Sequence, residues 1–220
     1  MTPKTYVLIH GGGDSGANWA AVADELRARG HDALAPDLPC EDADATWDDY
    51  AQAVLDAIGD RTDLILVAHS LGGWTAPLVC ARVPVEQLVL VAAMIPEPGE
   101  RFGDWWSNTA HAVAPGHEDD DDVSLYLQDA DPEVAAAALA RGRGQAEGPL
   151  GTPWPLAAWP DVPTRYLLCR DDRCFPADWA RAHARDRLGI VADELDGGHM
   201  PYVSRPGELA ERLHAYGVAE

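Results

Sequence analysis

Two stretches, Leu64 to Ala68 and Leu88 to Ala93, are apolar at every position. A strand with one wet face alternates apolar and polar residues. An unbroken run of this length instead fits a strand covered on both faces, as inside a parallel sheet. Tyr6 to Ile9 and Tyr166 to Cys169 repeat the pattern, the chain returns as a strand over Asp32 to Ala35, and Val191 to Leu195 is expected to form the last strand. Between these runs the period changes. Trp19, Val22, Ala23 and Leu26 recur at helical spacing before Gly30. Tyr50, Val54, Leu55 and Ile58 line one face of a second helix, whose start is marked by Thr46 and Asp49 in capping-box positions. Helices are also predicted over Ala177 to Arg187 and Glu208 to Tyr216. Strand, helix, strand alternation leads to an α/β architecture with a mostly parallel, doubly wound sheet.

The rhythm breaks between Pro96 and Pro163. Aromatic residues Phe102, Trp105 and Trp106, an acidic run from Asp119 to Asp122, an alanine-rich helix near Glu133 to Ala140 and a proline-rich stretch follow one another there. Residues 96–163 are expected to form a small helical cap, inserted before the Tyr166 to Cys169 strand, on a single domain spanning residues 1–220. That length buries a core without disulfides or a structural metal. The acidic run lacks the glycine and glutamate of a calcium-binding EF-hand loop and reads as a solvated loop. The 16 Lys and Arg stand against 37 Asp and Glu, a net charge of −21. Such a surface repels phosphate backbones and anionic lipids, so neither nucleic acid nor membrane is an expected partner. Cys40, Cys80, Cys169 and Cys174 form no C-x-x-C pair and are expected to be free thiols. With no signal peptide and no run of 18 apolar residues, a cytoplasmic location is expected.

Chemistry gathers at the ends of the strands. Ala68-His69-Ser70-Leu71-Gly72-Gly73 leaves a buried strand for a helix-compatible segment and matches the G-x-S-x-G nucleophile elbow, with Ala68 in place of the first glycine. The sharp turn crowds the backbone, so positions two before and two after the serine must be small. Taken alone the pattern also fits a serine capping a helix. Its companions favour the nucleophile. His10-Gly11-Gly12-Gly13 after the first strand can place a backbone N–H beside that of Leu71, forming an oxyanion hole; as a phosphate loop it lacks the Gly-Lys-Ser/Thr ending. A triad in the chain order serine, acid, histidine expects the acid after a late strand and the histidine after the last. Asp171 and Asp172 fill the first place, and His199, beyond Gly197-Gly198, the second. His69, beside the serine, is expected to pack there, and His31, His111, His117, His183 and His214 carry no assigned role.

V-L-I-H-G-G at Val7 to Gly12, A-H-S-L-G-G at Ala68 to Gly73, C-R-D-D-R-C-F-P at Cys169 to Pro176 and G-G-H-M-P at Gly197 to Pro201 lie in one order along the chain. Together they resemble the α/β-hydrolases, in particular the branch of plant methyl esterases, hydroxynitrile lyases and small bacterial relatives. The resemblance implies an α/β-hydrolase fold and a catalytic triad of Ser70, Asp172 and His199. Asp172 is chosen over Asp171 because the family's acid commonly sits four residues before a proline, here Pro176. It also maps the oxyanion donors onto the backbone of Gly12 and Leu71. The expected substrate pocket includes Gly11, His69, Trp105, Trp106 and Met200.

Hydroxynitrile lyases of that branch carry a lysine after the catalytic histidine and a threonine in the oxyanion loop; this chain has Met200 and Gly11. Without a cation beside the base, departing cyanide has no charge partner, whereas glycine leaves room for a tetrahedral intermediate and a water. The expected function is hydrolysis of a small carboxylic ester with an apolar portion, needing no metal or organic cofactor. The alternatives are a lyase or cyclase working from the same residues, and a non-catalytic small-molecule binder. A homodimer is compatible with this reading.

Overall fold

The computed structural model describes residues 2–218. Its centre is one sheet of six strands: β1 (Thr5–Ile9), β2 (Asp32–Leu34), β3 (Leu64–His69), β4 (Gln87–Val91), β5 (Thr164–Cys169) and β6 (Asp193–Leu195). They lie in the order β2-β1-β3-β4-β5-β6, and every pairing is parallel. The helices are α1 (Ala20–Ala28), α2 (Trp47–Ile58), α3 (Gly72–Cys80), α4 (Phe102–Asn108), α5 (Asp122–Tyr126), α6 (Pro132–Ala140), α7 (Ala177–Leu188), α8 (Pro201–Ser204) and α9 (Pro206–Val218).

The apolar runs sort their residues by alternation onto two cores. Tyr6, Leu8, Ile65 and Val67 face α1 and α9, packing on Trp19, Leu26, Leu209 and Leu213. Val7, Ile9, Leu64, Leu66 and Ala68 face α2 and α3, packing on Tyr50, Val54, Trp74 and Leu78. All six residues of β3 are buried, so each large aliphatic side chain there contributes roughly 1.5–3 kcal/mol of transfer free energy. The capping box at α2 forms as the spacing predicts: the Asp49 N–H donates to Thr46 Oγ1 at 3.2 Å and the Thr46 N–H to Asp49 Oδ2 at 2.8 Å.

Two strands fall two residues short of the sequence reading at one end. Val191 is 94% exposed and lies before β6, which begins at Asp193, where pairing with β5 starts. The run Leu88 to Ala93 leaves the ladder at Val91, because Ala92 takes a φ of +41° and turns the chain out of the sheet. Between β4 and β5 lie α4, α5 and α6.

The strand order places the site. From β1 the chain moves outward to β2, then crosses back to lay β3 on the other side of β1. Loops leaving β1 and β3 at their carboxyl ends therefore part in opposite directions and open a crevice, the position where open α/β sheets hold ligands. Gly11-Gly12-Gly13 and Ser70 are on those two loops.

Candidate active site

Ser70 stands between β3 and α3 with a φ of +49°, a left-handed conformation that costs a non-glycine residue of order 1–3 kcal/mol. The turn is held by its neighbours: the Ser70 carbonyl accepts from the Gly73 N–H at 3.1 Å and the Met94 N–H at 3.0 Å. A Cβ on Gly72 would come within 2.8 Å of the His10 carbonyl oxygen, and one on Gly73 within 2.0 Å of that of Met94. Ala68 is fully buried between the flanking layers, so a small side chain is what the site admits. The small residues of the elbow thus let α3 settle against β1 and β4 while the serine side chain keeps partial exposure.

His199 and Asp172 meet in the interior, 3% and 4% exposed. Asp172 Oδ2 lies 2.8 Å from His199 Nδ1, and its Oδ1 accepts the Phe175 N–H at 2.8 Å. Asp171 is exposed and does a different job: its Oδ2 accepts the Gly197 N–H at 3.1 Å, and its own N–H donates to the Gly197 carbonyl at 3.0 Å. One acid therefore holds the imidazole and the next holds the loop that carries it. Gly197 has a φ of +108°, and a Cβ there would press on Asp129 and Arg205 at 2.6 and 2.7 Å.

The glycine loop is pinned from below by His10, whose Nδ1–H donates to the Gly11 carbonyl at 2.8 Å while its Nε2 accepts the Leu38 N–H at 2.9 Å. Those roles require the neutral ring, and burial lowers its pKa accordingly. The N–H groups of Gly12 and Leu71 donate to no acceptor among the described residues, and both residues border the same cavity as Ser70 and His199. Two unpaired donors beside a serine can receive an anionic oxygen.

That cavity measures about 250 Å³. Gly11, His69, Trp106 and Met200 border it, and Asp172 lies behind it, joined through His199. Trp105 does not border it. This residue is fully buried, its indole N–H donating to the Ile95 carbonyl at 3.1 Å, because α4 turns one of its two adjacent tryptophans to the core and the other to the cavity. Sequence reasoning missed Phe175, Tyr126, Gln145, Asp14 and Tyr202, which also border the space. Phe175 and Tyr126 place their rings 5.0 and 5.5 Å from the His199 imidazole. Position beside the acid is the signal that marks Phe175; Tyr126 and Gln145 arrive from the segment between β4 and β5, whose pattern gives no face to read. No Lys or Arg borders the cavity among the described residues.

Residues 6–212 match the sequence model of the alpha/beta hydrolase family. The chain is 30% identical to a pyrethroid hydrolase of Sphingobium wenxiniae over 97% of its own length and 87% of that protein's. It is 27% identical to methylesterase 7 of Arabidopsis thaliana over 96% and 95%. Among solved structures, an extracellular α/β-hydrolase from a Paenibacillus species superposes with a TM-score of 0.81 at 23% identity, covering 99% of this chain and all of that one, and shares the fold.

Proposed function

The chain belongs to the α/β-hydrolase family, and on that premise we propose that it is a serine esterase in which Ser70, His199 and Asp172 form the catalytic triad. The observation that carries the reading is the 2.8 Å contact between Asp172 and the Nδ1 of His199, a residue that borders the same cavity as Ser70. An Nδ1–H committed to the carboxylate leaves Nε2 with the lone pair, the tautomer a general base needs. Ser70 Oγ bonds to the ester carbonyl carbon as His199 Nε2 takes its proton. The Gly12 and Leu71 N–H groups hold the resulting oxyanion, and the loss of either donor costs roughly 2.7–4 kcal/mol of barrier. His199 returns the proton to the departing alcohol oxygen. Water, deprotonated by the same nitrogen, then releases the acid and regenerates Ser70. Every proton is accounted for by side chains, so the reaction asks for no metal or cofactor.

The substrate class follows from the walls. Phe102, Trp106, Phe175 and Met94 favour an apolar group, and a lining without Lys or Arg gives an anionic ester no counter-charge. A volume of about 250 Å³ lies under the roughly 300–1,000 Å³ of drug-sized sites, which points to small esters. The names of the pyrethroid hydrolase and methylesterase relatives point to the same bond class. Residues 96–163, read as the cap, supply Phe102, Trp106 and Tyr126 to this wall and set which esters enter. The four free thiols fit a reducing cytoplasm. No helix among the described residues is long and apolar enough to cross a membrane.

The test is a panel of neutral and anionic p-nitrophenyl esters alongside mandelonitrile. Turnover of short neutral esters with no cyanide release is the expected result. Cyanide release in place of ester cleavage would assign the site to a lyase, and a ligand-induced thermal shift with no turnover of either would make it a binding site.

A further inference from the structure

A second buried chain of polar groups lies behind the triad and ends on it. His69 Nε2 is 2.8 Å from the backbone carbonyl oxygen of His199, which can only accept, so Nε2 carries the hydrogen. On the other side of the ring the Tyr202 hydroxyl lies 3.3 Å from Nδ1 and donates to Asp14 Oδ2 at 2.7 Å. Asp14 Oδ1 in turn accepts from Asn18. His69, Tyr202 and Asp14 are 3%, 0% and 8% exposed, and the Tyr202 ring is clamped on Trp19 with centroids 4.2 Å apart. A Cβ on Gly11 would reach His69 Nδ1 at 3.0 Å, so the glycine loop rests directly on this imidazole.

Each member sits next to a working part. Asp14 is two residues beyond Gly12, His69 directly precedes Ser70, and Tyr202 is three residues beyond His199. We propose that Asp14, Tyr202 and His69 form a brace that fixes the oxyanion loop, the elbow and the base loop relative to one another, making Tyr202 and His69 positioning residues for the hydrolysis. The proposal rests on the serine-esterase reading of the site. Fixed proton positions are what a brace requires. Burial holds His69 neutral, while burial and the Asp14 carboxylate keep the Tyr202 phenol protonated. The phenol has one hydrogen, and the shorter contact to Asp14 takes it. The His69 ring is therefore positioned by its own donation to His199 and by the edge-on packing of Tyr202, whose centroid is 4.9 Å away.

Tyr202→Phe keeps the ring on Trp19 and removes only the hydroxyl. His69→Leu removes the donor to the His199 carbonyl, and His69→Gln, whose terminal amide reaches the place of Nε2, restores it. A loosened base loop misplaces the imidazole without altering the apolar walls. The expected loss in kcat is therefore on the order of tenfold for Tyr202→Phe and His69→Leu, with KM within about twofold. His69→Gln recovers most of the loss, and the double variant Tyr202→Phe/His69→Leu is no worse than the poorer single one. A further readout stands apart from turnover: in the Ser70→Ala background the downfield imidazole proton shared by His199 and Asp172 is followed by NMR, and Tyr202→Phe should broaden it. The proposal falls if Ser70→Ala is inactive while Tyr202→Phe keeps full kcat and a sharp imidazole signal. It also falls if KM rather than kcat moves, or if His69→Gln is no better than His69→Leu. Activity that survives Ser70→Ala would instead overturn the esterase reading, and the imidazole signal still decides on the brace.

Discussion

Replacing Asp172 by Asn tests the acid with the least change in shape. The side chain is nearly sealed, one oxygen accepting the Phe175 N–H at 2.8 Å and the other facing His199 Nδ1 at 2.8 Å. An asparagine that keeps its carbonyl oxygen on Phe175 turns its NH2 toward Nδ1. The imidazole must then present a lone pair to that NH2 and carry its hydrogen on Nε2, where it cannot accept the Ser70 proton. A wrong tautomer of this kind lowers kcat by about 10⁴-fold, which at about 1.36 kcal/mol per decade is roughly 5.4 kcal/mol of barrier. Asp171→Asn is the control. Its exposed carboxylate accepts only the Gly197 N–H at 3.1 Å, a bond the amide oxygen can keep, so its kcat should stay within about threefold of wild type. Both variants are assayed for kcat and KM on p-nitrophenyl butyrate after circular dichroism confirms the fold. A large loss in Asp171→Asn beside a mild one in Asp172→Asn would refute the assignment.

Gly73→Ala drives a methyl group to 2.0 Å from the Met94 carbonyl oxygen, a backbone atom with no freedom to retreat, and should cost at least about 1–3 kcal/mol, read as a lower urea midpoint or failure to fold. Arg187 grips Glu100 with two 2.9 Å bonds at 7% and 3% side-chain exposure; Arg187→Met should therefore cost about 3–5 kcal/mol and lower Tm by about 6–20 °C at 2–4 °C per kcal/mol, and wild-type melting would refute a buried pair. His183 is held down to about 3 by burial first, then by the Arg187 charge, and accepts the Ile95 N–H through Nε2. Its folded pKa lies below the unfolded value near 6.5, so the stability it contributes is present above about 6.5 and lost as pH falls toward 3. Urea titrations between about pH 7 and pH 4.5 should show a shallower decline for His183→Gln than for wild type.

The sheet is legible in the sequence because a strand buried on both faces must be apolar throughout, and the tight turn at Ser70 because the residues around it must be small. Asp172 stood out from Asp171 only by its spacing to Pro176, and the burial of the one beside the exposure of the other now separates them. Trp105 and Trp106 could not be told apart, because an indole in the core and an indole at a cavity wall obey the same apolar preference. Val191 misled because a short edge strand carries almost no pattern. Asp14 and Tyr202 were silent because their meaning lies in a contact across 188 positions, and a lone acid or tyrosine announces no partner.

The proposed nucleophile is Ser70. A fluorophosphonate probe followed by intact mass and peptide mapping reads it directly: the wild type should gain one adduct, mapped to Ser70, and Ser70→Ala should gain none. An adduct on another residue, labelling that persists in Ser70→Ala, or a wild type that stays unlabelled would contradict that role for Ser70.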